Sequence, residues 1–141
     1  MIGGQTVDLE NEGKQPPVGV ILEMYRMKTG ALLEFCCKAG CIAAGAGADK
    51  QLSAGSYGQR LGLAFQIVDD ILDVTANEKL LGKPVGSDKA DGKYTYVTAV
   101  GLEKAREQAK SLTVQAVELL ADFDDNEFLV EFTNLLLNRQ Y

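Results

Sequence analysis

Residues 65–74 read FQIVDDILDV, an apolar run interrupted by four polar side chains. The preceding residues 61–64 (LGLA) are also apolar, and a helix that is apolar on nearly every side is normally buried. The polar side chains lie at i, i+3, i+4 and i+7, so they share one stripe of a helix. They are Gln66, Asp69, Asp70 and Asp73. The pattern predicts a buried helix with three carboxylates on one face.

Three carboxylates on one helix face repel one another, and buried charges must be paired or must bind metal. The nearest basic residues in the sequence are Arg60 upstream and Lys79 downstream, each more than one turn away. Mg2+ typically binds through one or two carboxylates plus substrate phosphates. The stripe therefore indicates a metal and phosphate site. The alternative is the solvated face of an amphipathic helix, although such a face normally carries both signs of charge.

The bulk composition is that of one ordinary soluble domain spanning residues 1–141, of which 46% are apolar and 24% charged. Ala, Leu, Glu, Lys and Gln dominate the periodic segments, which predicts an all-α fold. The net charge is −6, so the chain has no basic footprint for nucleic acid.

Cysteine usage and hydropathy favour a cytoplasmic protein. Cys36, Cys37 and Cys41 crowd one predicted helix, and without His or zinc-ligand spacing they are interpreted as buried thiols in a reducing compartment. We expect no signal peptide in the N-terminal residues. The most apolar segment, residues 31–48, contains Glu34 and Lys38, so we expect no membrane span.

The run FQxxDDxxD resembles the second aspartate-rich motif of the trans-polyprenyl diphosphate synthases, with the closest likeness to the bacterial farnesyl diphosphate synthase group. Other motifs of that family occur in the family's order along the chain. GGQTVDL at residues 3–9 and KTG at 28–30 precede this run, and a GK...GxD...GKxTY pattern in residues 82–96 follows it. The resemblance covers essentially the whole chain. It implies the C-terminal half of an all-α isoprenoid synthase-type helical bundle.

The resemblance also implies roles for individual residues. The metal, Mg2+ or Mn2+ in its place, would be held by Asp69, Asp70 and Asp73. Substrate would be bound by Lys28, Lys83, Lys93, Gln5 and Asp8, the lysines acting on diphosphate. Thr29 and Gln66, together with Lys28, would form the catalytic group that orients the site and steadies a developing carbocation.

Simpler interpretations of the same residues stay open. Lys28 lies near a predicted helix C-terminus, where the helix dipole favours a cation in any case. Gln5 and Asp8 suit an ordinary helix surface. The lysines of residues 76–93 suit a solvated loop as well as a phosphate-binding one.

In the whole enzyme, the resemblance implies condensation of an allylic diphosphate with isopentenyl diphosphate. The sequence contains no second DDxxD motif, so we expect this chain alone to have little or no synthase activity. We expect a homodimer or association with an N-terminal half. Two alternatives are a non-catalytic partner subunit or inactive fragment, and a fragment of a terpene cyclase.

Periodicity and breakers predict helices over about residues 18–27, 31–48, 54–75 and 101–123, with a long loop over 76–93. Ser53 is the expected N-cap of the aspartate helix. The expected core positions of that helix are Tyr57, Leu61, Ala64, Phe65, Val68, Ile71 and Leu72. The small residues of 31–48 indicate a tightly packed core helix. Gly58 and Gly62 indicate close helix packing or a ligand near the backbone. The last helix is expected to bury Phe128, Leu129, Phe132, Leu135 and Leu136.

Overall fold

The computed structural model describes residues 2–80 and 94–137, and only the backbone of residues 76–80. This part of the chain is helical and contains no strand, which confirms the all-α prediction. In chain order the elements are α1 (Ile2–Glu10), α2 (Val18–Tyr25), a π-helical turn (Arg26–Gly30), α3 (Ala31–Ala43), α4 (Ala48–Leu80), α5 (Tyr96–Val100), α6 (Leu102–Leu119), a 3-10 turn (Leu120–Asp122) and α7 (Glu127–Leu137).

The long helix α4 lies at the centre, with α3 packed on one side and α6 on the other. Its buried apolar side chains form the middle of the core, and Ile67 is completely shielded from solvent. Four of the predicted core positions are buried: Tyr57, Leu61, Ala64 and Val68. Three others are partly buried: Phe65, Ile71 and Leu72. The central helix therefore positions the carboxylate stripe.

Helix α4 is longer than the sequence predicted, beginning at Ala48 and ending at Leu80 rather than spanning 54–75. The prediction of Ser53 as its N-cap is wrong. Ser53 lies inside the helix, where its hydroxyl donates to the Asp122 carboxylate. The predicted loop was placed too early as well, because residues 76–80 (ANEKL) contain neither Gly nor Pro and continue the helix.

The helices α2 and α3 are joined without a break through the π-helical turn. The sequence predicted an end near Gly30, but Gly30 has ordinary right-handed helical angles (φ −57°, ψ −43°). A Cβ on Gly30 itself would meet nothing closer than 3.8 Å, so the glycine that the close contact requires is on α4. A Cβ placed on Gly62 of α4 would lie 2.7 Å from the Gly30 Cα atom.

Close packing between α3 and α4 explains the glycines of α4. A Cβ on Gly58 would lie 2.6 Å from the Leu33 carbonyl oxygen and 2.7 Å from the Glu34 nitrogen. Real Cβ atoms do not approach backbone this closely. Of the two explanations that the sequence left open, the structure supports helix packing.

The interpretation of α3 as a core helix is wrong, because none of its residues is buried, although the helix packs closely against α4. A Cβ on Gly40 would meet nothing within 4 Å, and α4 rather than α3 supplies the glycines of the contact. The interpretation of the three cysteines as buried thiols also needs correction. Cys36 is exposed, whereas Cys37 and Cys41 are partly buried. Burial raises the pKa of the Cys37 thiol.

The structure buries a different face of the last helix from the one that the sequence predicted. The buried residues of α7 are Thr133 and Leu137. Thr133 faces inward because its hydroxyl pairs with the Tyr57 hydroxyl at 2.8 Å, which satisfies two buried polar groups at once. Phe128, Phe132 and Leu135 are exposed, whereas Leu129 and Leu136 pack against the core as predicted.

Large apolar side chains are exposed on two separate helices. Phe35 and Ile42 on α3 are 67% and 61% exposed, and Phe128 and Leu135 on α7 are 73% and 75% exposed. Contiguous exposed apolar surface commonly marks an interaction site. Among residues 2–80 and 94–137, no helix combines the length and hydropathy needed to cross a bilayer.

Candidate functional site

A cavity of about 500 Å³ lies where α1, α2 and α4 meet the segment that leads into α5. Six of the predicted site residues line it together: Gln5, Asp8, Lys28, Gln66, Asp69 and Asp70. Tyr25, Tyr94 and Thr95 complete part of the wall. Two predicted residues, Thr29 and Asp73, are half-buried but do not contribute to this wall. Residues from four separate elements therefore converge on one space.

Helix α4 supplies the acidic wall of the cavity. Asp69 and Asp70 are both half-buried, and the Gln66 amide Nε2 donates to Asp69 Oδ2 at 3.4 Å. This contact follows from the i, i+3 spacing, which stacks the two side chains on one face. Asp73 continues the stripe one turn further along α4 but lies beyond the cavity.

The Asp70 carboxylate is held by two donors that come from distant parts of the sequence. The Tyr25 hydroxyl donates to Asp70 Oδ2 at 2.7 Å, and the Tyr96 backbone N–H donates to the same oxygen at 3.1 Å. The Tyr96 N–H also lies 3.4 Å from the Tyr25 hydroxyl oxygen. The sequence analysis identified neither donor.

The N-terminus of α5 explains why a backbone N–H is available to Asp70. The first N–H groups of a helix have no partner within it. Thr95 caps α5 by accepting from the Thr98 N–H at 3.3 Å. The Tyr96 N–H is left to Asp70, and a backbone donor of this kind carries no residue-type signal in the sequence.

The lysine side of the cavity is built on the π-helical turn. Lys28 Nζ lies 2.7 Å from Asp8 Oδ2, which joins the turn to α1. Helix α1 can approach this closely because residue 4 is glycine. A Cβ at Gly4 would lie only 2.5 Å from the Lys28 backbone nitrogen. Single π-helical turns often occur at functional sites. Gln5 and Asp8, which lie three residues apart on α1, both line the cavity.

The predicted metal set and two of the lysines are not tested by these contacts. In the described ranges, no three His, Cys, Asp or Glu side chains are arranged to hold a metal ion together. The two carboxylates of Asp69 and Asp70 do offer hard oxygen donors beside a cavity, which is the chemistry that Mg2+ prefers. Lys83 and Lys93 lie outside the described residues.

The arrangement combines acidic oxygen donors on α4 with an ammonium group on the π-helical turn. Such a cavity is suited to a divalent cation together with an anionic ligand, because each wall complements one of the two charges. The ammonium group has three donors, so Lys28 can keep its contact with Asp8 while donating to a further acceptor.

Comparison with solved structures gives the class of the fold. The chain superposes on the FPP/GFPP synthase of Zymomonas mobilis with a TM-score of 0.78 and 34% identity, over 96% of this chain and 45% of that one. It superposes on the heptaprenyl diphosphate synthase of Staphylococcus aureus with a TM-score of 0.90 at 21% identity, a likeness of fold alone. The fold is the all-α isoprenoid synthase type.

Sequence comparison gives the family. The family model described as "Polyprenyl synthetase" matches residues 1–133. The chain is 39% identical over 140 residues to farnesyl diphosphate synthase of Escherichia coli (strain K12), covering 87% of this chain. It is 38% identical over 141 residues to geranylgeranyl diphosphate synthase of Cyanophora paradoxa, covering 99% of this chain. The chain belongs to the polyprenyl synthetase family, and the predicted resemblance is confirmed.

The match is to part of each relative. The alignments cover 47% of the Escherichia coli enzyme and 47% of the Cyanophora enzyme. The chain therefore spans about half the length of the curated relatives it matches.

Proposed function

We propose that the chain carries the second aspartate-rich, metal-diphosphate half-site of a prenyltransferase that condenses an allylic diphosphate with isopentenyl diphosphate. The observation that carries this proposal is that Asp69 and Asp70 share one cavity with Lys28. The family supports the reaction class, since the relatives reported above are farnesyl and geranylgeranyl diphosphate synthases.

The residues of the cavity fit a hard divalent cation, Mg2+ or Mn2+. Asp69 and Asp70 would hold the ion at the cavity wall, with Asp73 contributing from the next turn of α4. A bound ion of this kind supplies charge neutralisation for a leaving diphosphate. Gln66, which donates to Asp69 Oδ2, limits the freedom of that carboxylate and would face the developing carbocation.

The lysines would bind the diphosphate itself. Lys28 Nζ is fixed by Asp8 at 2.7 Å and keeps donor capacity for phosphate oxygens. Fixed cations act on developing negative charge at little reorganisation cost, which is the usual basis of electrostatic catalysis. Thr29, next to Lys28, would orient the substrate. Gln5 would contact substrate from α1, and Lys83 and Lys93 would also bind the diphosphate.

A binding titration tests the proposal. Methylenediphosphonate, a stable diphosphate analogue, is expected to bind the 141-residue chain in the presence of Mn2+ and to lose most of its affinity when EDTA removes the metal. Isothermal titration calorimetry measures the affinity, and the electron paramagnetic resonance signal of Mn2+ measures metal uptake. Equal affinity with and without metal, or no binding in its presence, would contradict the proposal.

We further propose that turnover requires association, either as a homodimer or with a chain that supplies the facing half of the bundle. The support is the exposed apolar surface on α3 and α7, at Phe35, Ile42, Phe128 and Leu135. Surfaces of this kind favour association in water. Assembly would add side chains from a second chain to the cavity, beyond those that the described part of this chain supplies.

Light scattering after size-exclusion chromatography is expected to give a mass well above 15.2 kDa, the mass of one chain. Phe35→Glu is expected to shift the chain toward the monomer, because an exposed carboxylate opposes burial of that face. The matched variant Glu107→Gln, on an exposed polar position of α6 away from both apolar faces, should leave the mass unchanged. A monomeric wild-type chain would contradict the association.

The alternative is a non-catalytic partner subunit or inactive fragment. Such a subunit would also associate through the exposed apolar faces, but its function would not depend on the carboxylates. The two functions separate on Asp69→Ala. Loss of diphosphate binding with unchanged assembly supports the prenyltransferase half-site, whereas a chain that assembles normally and never binds diphosphate supports the partner function.

A further inference from the structure

We propose that Tyr25 is a positioning residue for Asp70, and that its hydroxyl sets the orientation in which the Asp70 carboxylate would bind a metal ion. The inference deepens the proposed function and rests on it. Tyr25 is only 5% exposed, and its hydroxyl donates to Asp70 Oδ2 at 2.7 Å. This is a short, charge-assisted bond, the kind that fixes a carboxylate most firmly.

The oxygen that Tyr25 contacts accepts a second hydrogen bond. On Asp70 Oδ2, the Tyr25 hydroxyl donates at 2.7 Å and the Tyr96 N–H donates at 3.1 Å. A carboxylate oxygen has two acceptor positions, so both bonds can be made at once. Together the two donors fix the direction in which the Asp70 carboxylate faces the cavity.

The same hydroxyl connects the elements on which the site is built. Tyr25 is the last residue of α2, directly before the π-helical turn that carries Lys28. Asp70 lies on α4, and Tyr96 begins α5. One hydroxyl thus ties the carboxylate wall to the base of the lysine turn. Loss of the Tyr25 hydroxyl is expected to make the distance between the metal-binding and diphosphate-binding groups more variable, in addition to removing a buried hydrogen bond.

Tyr57 provides the matched control within the same chain. It is 3% exposed, and its hydroxyl pairs with the Thr133 hydroxyl at 2.8 Å. It lies on α4, as Asp70 does, but its partner is on α7 and it does not line the cavity. Tyr57→Phe therefore removes a buried tyrosine hydroxyl of the same kind without touching the site.

The experiment compares Tyr25→Phe with Tyr57→Phe. Mn2+ affinity is measured by electron paramagnetic resonance titration of the 141-residue chain in the presence of methylenediphosphonate. Tyr25→Phe is expected to weaken Mn2+ binding about tenfold, the effect of losing one hydrogen bond to a charged group. Tyr57→Phe should stay within about twofold of wild type at a comparable loss of melting temperature. Equal effects of the two variants would overturn the inference.

A double-mutant cycle tests whether Tyr25 acts through Asp70. In an Asp70→Asn background, Tyr25→Phe is expected to change the Mn2+ affinity by less than about twofold, because the partner carboxylate is already gone. Additive effects of the two substitutions would overturn the positioning role. A wild-type chain that binds no Mn2+ with methylenediphosphonate overturns the proposed function and this inference together. Wild-type binding that Tyr25→Phe leaves unchanged overturns the inference alone.

A second measurement covers the case in which Tyr25→Phe does not fold. 3-Fluorotyrosine placed at position 25 keeps the ring and the hydroxyl. Its fluorine resonance is expected to shift when Mg2+ and methylenediphosphonate are added, whereas 3-fluorotyrosine at position 57 should not respond. A resonance at position 25 that stays unchanged on saturation would contradict the coupling between Tyr25 and the metal-binding carboxylates.

Discussion

Asp69→Asn is expected to weaken Mn2+-dependent binding of methylenediphosphonate by about 100-fold, which corresponds to about 2.7 kcal/mol. The substitution removes a formal charge from the cavity wall while keeping the size of the side chain. A divalent ion that loses one of two carboxylate ligands loses a large part of its Coulomb attraction. Calorimetric titration of both proteins under identical ionic strength measures the difference.

Asp125→Asn is the matched control for Asp69→Asn. Asp125 is exposed in the segment between the 3-10 turn and α7 and does not line the cavity, so its loss should leave the affinity within about twofold. Asp73→Asn is expected to have an intermediate effect, because Asp73 continues the stripe beyond the cavity. Asp69→Asn and Asp125→Asn having the same effect would show that general charge, rather than a metal site, governs binding.

Gly58→Ala is expected to lower the free energy of unfolding by about 2 kcal/mol. The new Cβ would lie 2.6 Å from the Leu33 carbonyl oxygen, so α3 and α4 must separate. The gain of about 1 kcal/mol in helix propensity offsets only part of this cost. Urea unfolding followed by circular dichroism gives the difference.

Gly40→Ala, on the neighbouring helix α3, is expected to change the free energy of unfolding in the opposite direction. Gly40 lies within α3, and a Cβ there would meet nothing within 4 Å. The propensity gain is then unopposed, and the chain should become more stable by about 0.5–1 kcal/mol. If Gly58→Ala stabilised the chain as Gly40→Ala does, the close contact between α3 and α4 would not exist in solution.

Features that repeat along one helix were predictable from the sequence. The i, i+3, i+4 spacing was sufficient to place Gln66, Asp69 and Asp70 on one face, and all three line the cavity. The same periodicity identified the buried positions Tyr57 and Leu61. In these cases the local spacing determines the direction of the side chain, and no distant partner is needed.

Features that depend on distant partners were not predictable. Tyr25 and Asp70 are 45 positions apart, and the Tyr96 donor is a backbone group without a residue signature. The face of α7 was misassigned because apolar residues occupy most of its positions. Its orientation is set instead by the pairing of Thr133 with Tyr57. The α3 prediction failed similarly, because an apolar composition does not show which helix supplies the glycines.

The hydrogen bonds around Asp70 also have a consequence for folding order. Helices α3 and α4 are neighbours in the chain and pair by closing a short connection, which is entropically cheap and fast. The bond from Tyr25 to Asp70 closes a loop of 45 residues, and the contact of Tyr96 with Tyr25 closes one of 71. The helical hairpin is therefore expected to form first, and the cavity to close last.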